Sequence, residues 1–187
     1  WPSRLNTGVN RGYREGTLTA EGKLANYTSA CGPDYFTGTL LKPEDINDVF
    51  VCEPAANLVR HLRITESNGL QKGENLYDPM QSDFLRSTDE RFRPVNIANG
   101  PDGALYVVDL YRGILQHRVF MTSYLRRQVE ERGLDKHTGL GRIWRIVRDD
   151  PKAKGSGTQN LQGLTTLDCM SLLADPNKHT RLTAQRL

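Results

Sequence analysis

Residues 99–111, NGPDGALYVVDLY, close on an acid and a phenol, and a guanidinium follows at once: Asp109, Tyr111 and Arg112. Three such side chains delivered to one rim of a sheet are the material of a binding face, because sites favour loops that a rigid scaffold positions. Delivery requires a strand that starts tightly and ends at the opposite edge. RPVNIA (93–98) and ALYVVDLY (104–111) are both strand-like, and NGPDG between them places Pro101 and Gly103 where a turn needs a fixed φ followed by a positive one. The spacing predicts a β-hairpin whose turn lies on one rim, with Asp109, Tyr111 and Arg112 on the other. The loop RSTDERF (86–92) enters the first of these strands from that second rim, so Asp89, Arg91 and Arg93 should approach Tyr111 and Arg112.

A related phrase stands earlier. Laying Val49-Phe50-Val51-Cys52-Glu53 over Leu105-Tyr106-Val107-Val108-Asp109 matches aromatic to aromatic and acid to acid, at an offset of 56 residues (49 to 105). Four-stranded antiparallel propeller blades repeat at about this interval once loops are included. Between the second strand and GRIWRIVRD (141–149) runs an insertion, about 113–134, in which Met121, Leu125 and Val129 recur four apart, as do Phe120 and Tyr124. That spacing is helical, and Gly133 is a stop. Arg118, Arg126, Arg127 and Arg132 make the helix either a cap with a solvated basic face or a lid over a ligand site.

Three regions are expected: residues 1–150 as the β part, 151–163 as a Gly/Pro/Lys/Ser linker, and 164–187 as two short helices joined by Asp-Pro-Asn. Leu167, Met170 and Leu173 or Ala174 form the stripe of the first helix, and the second begins near His179. The chain begins at Trp1 and its last residues stop inside a helical pattern, which reads as a piece of a longer protein.

The 187 residues are 37% hydrophobic and 25% charged, an ordinary globular balance. A net charge of +3 spread over 25 basic and 22 acidic residues, with no like-charged block, argues against nucleic acid as a partner. No run is apolar enough to span a membrane. Three cysteines without a Cys-x-x-Cys exclude a zinc ribbon or a haem attachment motif. Cys31 and Cys52, if on neighbouring strands, could form a disulfide or be two small buried hydrophobes; Cys169 is a free buried thiol. Asn26-Tyr27-Thr28 fits the glycosylation pattern.

FRPVNIANGPDGALYVVDLYRGILQHRVFMTSYLRRQVEERGLDKHTGLGRIWRIV resembles the last blade of the glucose/sorbosone dehydrogenase-like β-propellers, especially those of large multidomain proteins in planctomycetes and related bacteria. SACGPDYFTGTLL and NDVFVCEPAANLVRHLRI look like the preceding blade, and LLADPNKHTRLTAQRL like the first helix pair of a HEAT-like repeat. The resemblance covers about residues 20–187 and is most specific over 91–147. It implies a mainly β chain made of the C-terminal blades of a propeller, exported to the periplasm, with a c-type cytochrome domain outside this piece. It further implies pyrroloquinoline quinone beside calcium, and a sugar or aldehyde as substrate.

That chemistry needs cations for carboxylates and carbonyls, oxygen ligands for a hard cation, and a base. The resemblance suggests Arg112 and Arg142, with Tyr111 and Arg93, for the cofactor, and Asp89 or Asp109 for calcium. His117 is the one histidine near this rim that could serve as base. Each has a plainer alternative: a strand-end Asp as turn residue, Arg142 paired with Asp149 or Asp150, His117 on a helix surface. The family's own catalytic histidine would lie in an earlier blade. Two readings follow: part of a quinoprotein-like dehydrogenase passing electrons to a cytochrome c domain, or a non-catalytic propeller and helical-repeat scaffold that binds carbohydrate or protein.

Overall fold

The computed structural model describes residues 20, 25–77, 82–155 and 160–187. Residues 1–19, 21–24 and 78–81 of the expected β part, and 156–159 of the expected linker, lie outside the described residues. The fold is mainly β, with antiparallel sheets and few helices.

The first sheet is a meander of β1 (Cys31–Tyr35), β2 (Val49–Glu53), β3 (Leu58–Ser67) and β4 (Leu70–Asn75), hydrogen-bonded in chain order; β5 (Leu85–Arg86) adds to β3. The second contains β6 (Pro94–Asn99), β7 (Leu105–Asp109) and β8 (Arg142–Ile146), again in chain order. Along β7 the burial alternates, Leu105, Val107 and Asp109 inward and Tyr106 and Val108 half-exposed, as a period of two requires. Phe36, Phe50, Cys52 and Val59 of the first sheet meet Ile97, Leu105 and Val107 of the second, so one core lies between the two faces.

NGPDG is the expected turn. Gly103 has φ +86°, and its carbonyl accepts from Thr39 and Leu40 N–H, both at 3.0 Å, tying the turn to the first sheet. Gly38 lies so close that an added Cβ would meet Gly103 O at 2.1 Å, which leaves no room for any side chain.

The phrase repeated in the sequence is a structural repeat. Its two copies are β2 and β7, the second strand of each meander, and each ends on a fully buried acid. Thr28 and Ser29 N–H donate to Glu53 Oε2 at 3.0 and 2.9 Å, and Ala55 N–H to Oε1 at 3.1 Å. Asp109 does the same for its own loops. In the first copy a short turn joins β2 to β3; in the second, the same position carries the long insertion.

Within that insertion α1 (Ser123–Glu131) is capped by Thr122, whose side chain accepts from Leu125 N–H. Its Leu125 and Val129 pack with Leu134, Ile114 and Met121 into a small separate core. Arg91 donates to Gly133 O at 2.9 Å, and Arg132 pairs with Glu90, so the insertion is pinned to the loop that leads into β6. Phe120 and Tyr124 face outward.

Two further helices, α2 (Thr166–Leu172) and α3 (Lys178–Arg186), follow. Cys169 of α2 faces Ala184 of α3, both buried, whereas the expected stripe Leu167, Met170 and Leu173 is exposed. The reason is geometric: among the described residues only α3 packs on α2, and it covers the Cys169 side. The pair is fastened to the sheets by Asn177. Its Oδ1 accepts from His179 N–H at 2.9 Å as the N-cap of α3, while its Nδ2 donates to Gly100 O at 2.9 Å in the hairpin turn. Lys178 N–H donates to Thr37 Oγ1 at 3.0 Å, and its ammonium pairs with Asp34. Asn177→Ala removes the cap and the docking bond together, about 2 kcal/mol. Hydrogen exchange should then show roughly thirtyfold less protection in α3 with the β7 amides unchanged; equal protection in α3 would mean that the helices are held by something else.

Candidate functional site

The end of β7 gathers most of the rim residues expected from the sequence. Asp109 is 1% exposed and receives four donors: Arg93 and Tyr111 N–H on Oδ1 at 2.8 and 2.9 Å, Arg142 Nε and Trp144 Nε1 on Oδ2, both at 3.1 Å. Tyr111 is held at φ +48°, a left-handed conformation that a bulky residue rarely adopts. The Arg142 guanidinium lies 3.7 Å from the centre of the Tyr111 ring and 4.8 Å from that of Trp144. Arg142 and Trp144 are two apart on β8 and so share a face. Asp89 Oδ2 stands 3.8 Å from Arg142 Nη2, while its Oδ1 accepts from Arg91 N–H at 2.9 Å. Beside this group is a hollow of about 330 Å³ lined by Ser87, Asp89, Phe92, Arg142 and Trp144.

Arg93 is buried, and its guanidinium donates to three carbonyls: Arg112 O at 2.9 Å, Pro54 O at 2.6 Å and Gly113 O at 2.8 Å. It clamps loops of both sheets together. Arg112 enters this network through its backbone, and its side chain is exposed. Arg142 pairs with Asp109 and Asp89 rather than with Asp149 or Asp150. His117 caps a short 3-10 turn, accepting from Val119 N–H at 3.5 Å, with its ring edge-on to Phe120 at 6.1 Å. Its contacts lie within the insertion.

These arrangements bear on the expected cofactor. Calcium takes six to eight oxygen ligands, yet both Asp109 oxygens already carry two N–H donors each, which fills an acceptor-only carboxylate. Asp89 alone is no calcium cage, so Asp89 and Asp109 do not fit the ion. Arg93 is likewise fully engaged, and Arg142 lies stacked and ion-paired; neither presents an open fork to a quinone's carboxylates. The group fits a surface that receives a ligand on aromatic and planar polar faces, not a cofactor cage. Trp144 was not singled out by the sequence reading, although its place two residues after Arg142 was a usable signal.

A second polar cluster was not anticipated. His61 on β3 is 1% exposed and stacks flat on Phe50, centroids 4.4 Å apart. Its Nε2 lies 2.8 Å from Asp48 Oδ2, the same oxygen that accepts from Arg63 Nε and Nη2 at 3.1 and 3.0 Å. Asp45 Oδ1 stands 4.0 Å from His61 Nε2 and 3.9 Å from Arg63. The β2–β3 register places Val49 opposite Leu62, which sets Asp48 opposite Arg63 one step on. Nothing in the sequence revealed that register, so the cluster was invisible in it.

No curated protein and no solved structure matches the chain. Residues 4–150, well over half of the chain, match the family described as a domain of unknown function, DUF7133, and the protein therefore belongs to the DUF7133 family.

Proposed function

We propose that this chain is the C-terminal part of an exported, sugar- or aldehyde-oxidising quinoprotein-like β-propeller, with its electrons passing to a cytochrome c domain elsewhere in a longer protein. The described residues supply the carbohydrate-facing rim, and the redox group is held by other residues. One observation carries this: Arg142, stacked on Tyr111 and Trp144, lines with Trp144, Asp89 and Ser87 a hollow of about 330 Å³. Flat aromatic faces suit the C–H faces of a sugar, and planar carboxylate and guanidinium groups suit its hydroxyls. Two facing meanders, each running outward from an inner strand in chain order, are the arrangement expected of neighbouring blades, and α2 with α3 would begin a HEAT-like repeat.

The second reading, a non-catalytic carbohydrate-binding scaffold, is favoured by the closed coordination of Asp109 and Arg93. One experiment separates them. The full chain receives pyrroloquinoline quinone and calcium, and dye reduction is followed over a panel of aldoses and aldehydes. The enzyme reading expects reduction that requires both additions, with KM raised about tenfold in Arg142→Ala, the equivalent of about 1.4 kcal/mol of binding. Sugar-dependent quenching of Trp144 fluorescence without reduction supports the scaffold, and neither response would dismiss both.

A further inference from the structure

We propose that the Asp48–His61 pair is the floor of a second ligand site, which takes a small uncharged molecule carrying several hydroxyl groups. Asp48 Oδ2 already accepts two N–H groups of Arg63, so it acts as acceptor toward His61 as well, and His61 Nε2 carries the proton. The ring's other nitrogen, Nδ1, must then find its partner elsewhere. That nitrogen is buried and has no hydrogen-bond partner among the described residues. A buried polar nitrogen left unmet is costly, so the site is built for a hydrogen-bonding group that comes from outside the chain. His61 lines a cavity of about 410 Å³, within the range of small-molecule sites.

The rest of the lining selects the ligand. Tyr77 and Phe84 stand 6.2 and 5.9 Å from the His61 ring, offering apolar faces for C–H groups. Lys42, Arg63 and Arg148 are opposed by Glu44, Asp45 and, against Arg63, Asp48, a mixture of signs that favours neither an anion nor a cation. Hydroxyls can donate to Nδ1 and accept from the basic groups at once.

A divalent metal is the competing occupant, since Asp45, Asp48 and His61 hold ligand atoms within 4.8 Å of one another. Two features count against it. The Arg63 guanidinium already occupies the carboxylates, and a metal on Nε2 would turn Nδ1 into a donor, with no acceptor to orient it.

The test uses the full chain with ¹⁵N-labelled histidine and three probes that carry no oxidisable aldehyde: myo-inositol, D-sorbitol and methyl α-D-glucoside. The expected result is a saturable shift of the His61 Nδ1 resonance with at least one of them. His61→Gln keeps a donor toward Asp48 and loses the ring nitrogen Nδ1, so binding of that probe should weaken about tenfold or more while the melting temperature stays near that of the wild type. Should the variant fail to fold, the wild-type titration alone decides. No shift with any probe, or a response to zinc or manganese only, overturns the proposal. Failure here leaves the rim reading standing, because the dye assay reports on Arg142 and not on His61.

Discussion

Asp109→Ala lowers the unfolding free energy by about 2–5 kcal/mol, because two covered backbone N–H groups lose their acceptor and each such unmet donor costs about 1–3 kcal/mol. Four donors lose their acceptor at once. Arg142 and Trp144 are partly exposed and can turn to water, so most of the loss comes from the two backbone N–H groups. Arg93 N–H is buried under the loop, and Tyr111 N–H belongs to a residue at φ +48° that needs its anchor. The check is a urea titration of the full chain, with the midpoint falling and the slope unchanged. A loss below about 1 kcal/mol would show that the loops hold themselves and that the carboxylate is incidental. Because Asp109 also supports Arg142 and Trp144, the same variant should weaken any ligand bound on the rim.

Oxidising the folded chain with glutathione disulfide joins Cys31 to Cys52. The two are direct partners across the β1–β2 pair, where Cα atoms stand about 4.5–5.5 Å apart, within the range a disulfide spans. Both thiols are free in the structure. Each gives up a proton, the sulfurs lose two electrons to form the S–S bond, and glutathione disulfide is reduced to two glutathione thiols. Burial pushes the Cys52 thiol up to about 12, with Cys31 adding to the effect, and burial then Glu53 raise Cys31 as well. The thiolate is the attacking species, so the reaction should be slow at neutral pH and speed up as pH rises. Closing the loop between residues 31 and 52 should stabilise the fold by about 3 kcal/mol. After denaturation, iodoacetamide should label Cys169 alone; labelling of all three cysteines would mean that Cys31 and Cys52 serve as small buried hydrophobes.

Much of this architecture is local and therefore legible from residue types. The NGPDG turn follows from Pro101 and Gly103, the strands on either side from their alternation, and α1 from Met121, Leu125 and Val129 four apart with Gly133 beyond them. The match of Val49–Glu53 to Leu105–Asp109 marked two related phrases, and β2 and β7 coincide with them, each ending on an acid. The meeting of Asp89, Arg93 and Tyr111 at one rim also followed, because strand direction alone settles which end of a hairpin a residue occupies.

What the chemistry of those residues amounts to depended on the tertiary structure. The resemblance offered Asp109 as a ligand for a cation, and only the approach of Arg93 beside β6 and of Arg142 and Trp144 on β8 shows that its oxygens are filled. Leu167, Met170 and Leu173 read as a buried stripe, yet the docking of α3 through Asn177 covers the opposite side of α2. Asp48, His61 and Arg63 carry no motif at all, and the β2–β3 register makes them one cluster. Periodicity and turn chemistry act between residues a few positions apart, so the sequence itself determined the elements and their ends. Hydrogen-bond partners and burial arise from segments tens of residues distant, so which polar groups are satisfied, and that His61 Nδ1 is among those without a partner in the described residues, was decided by the packing of the two sheets.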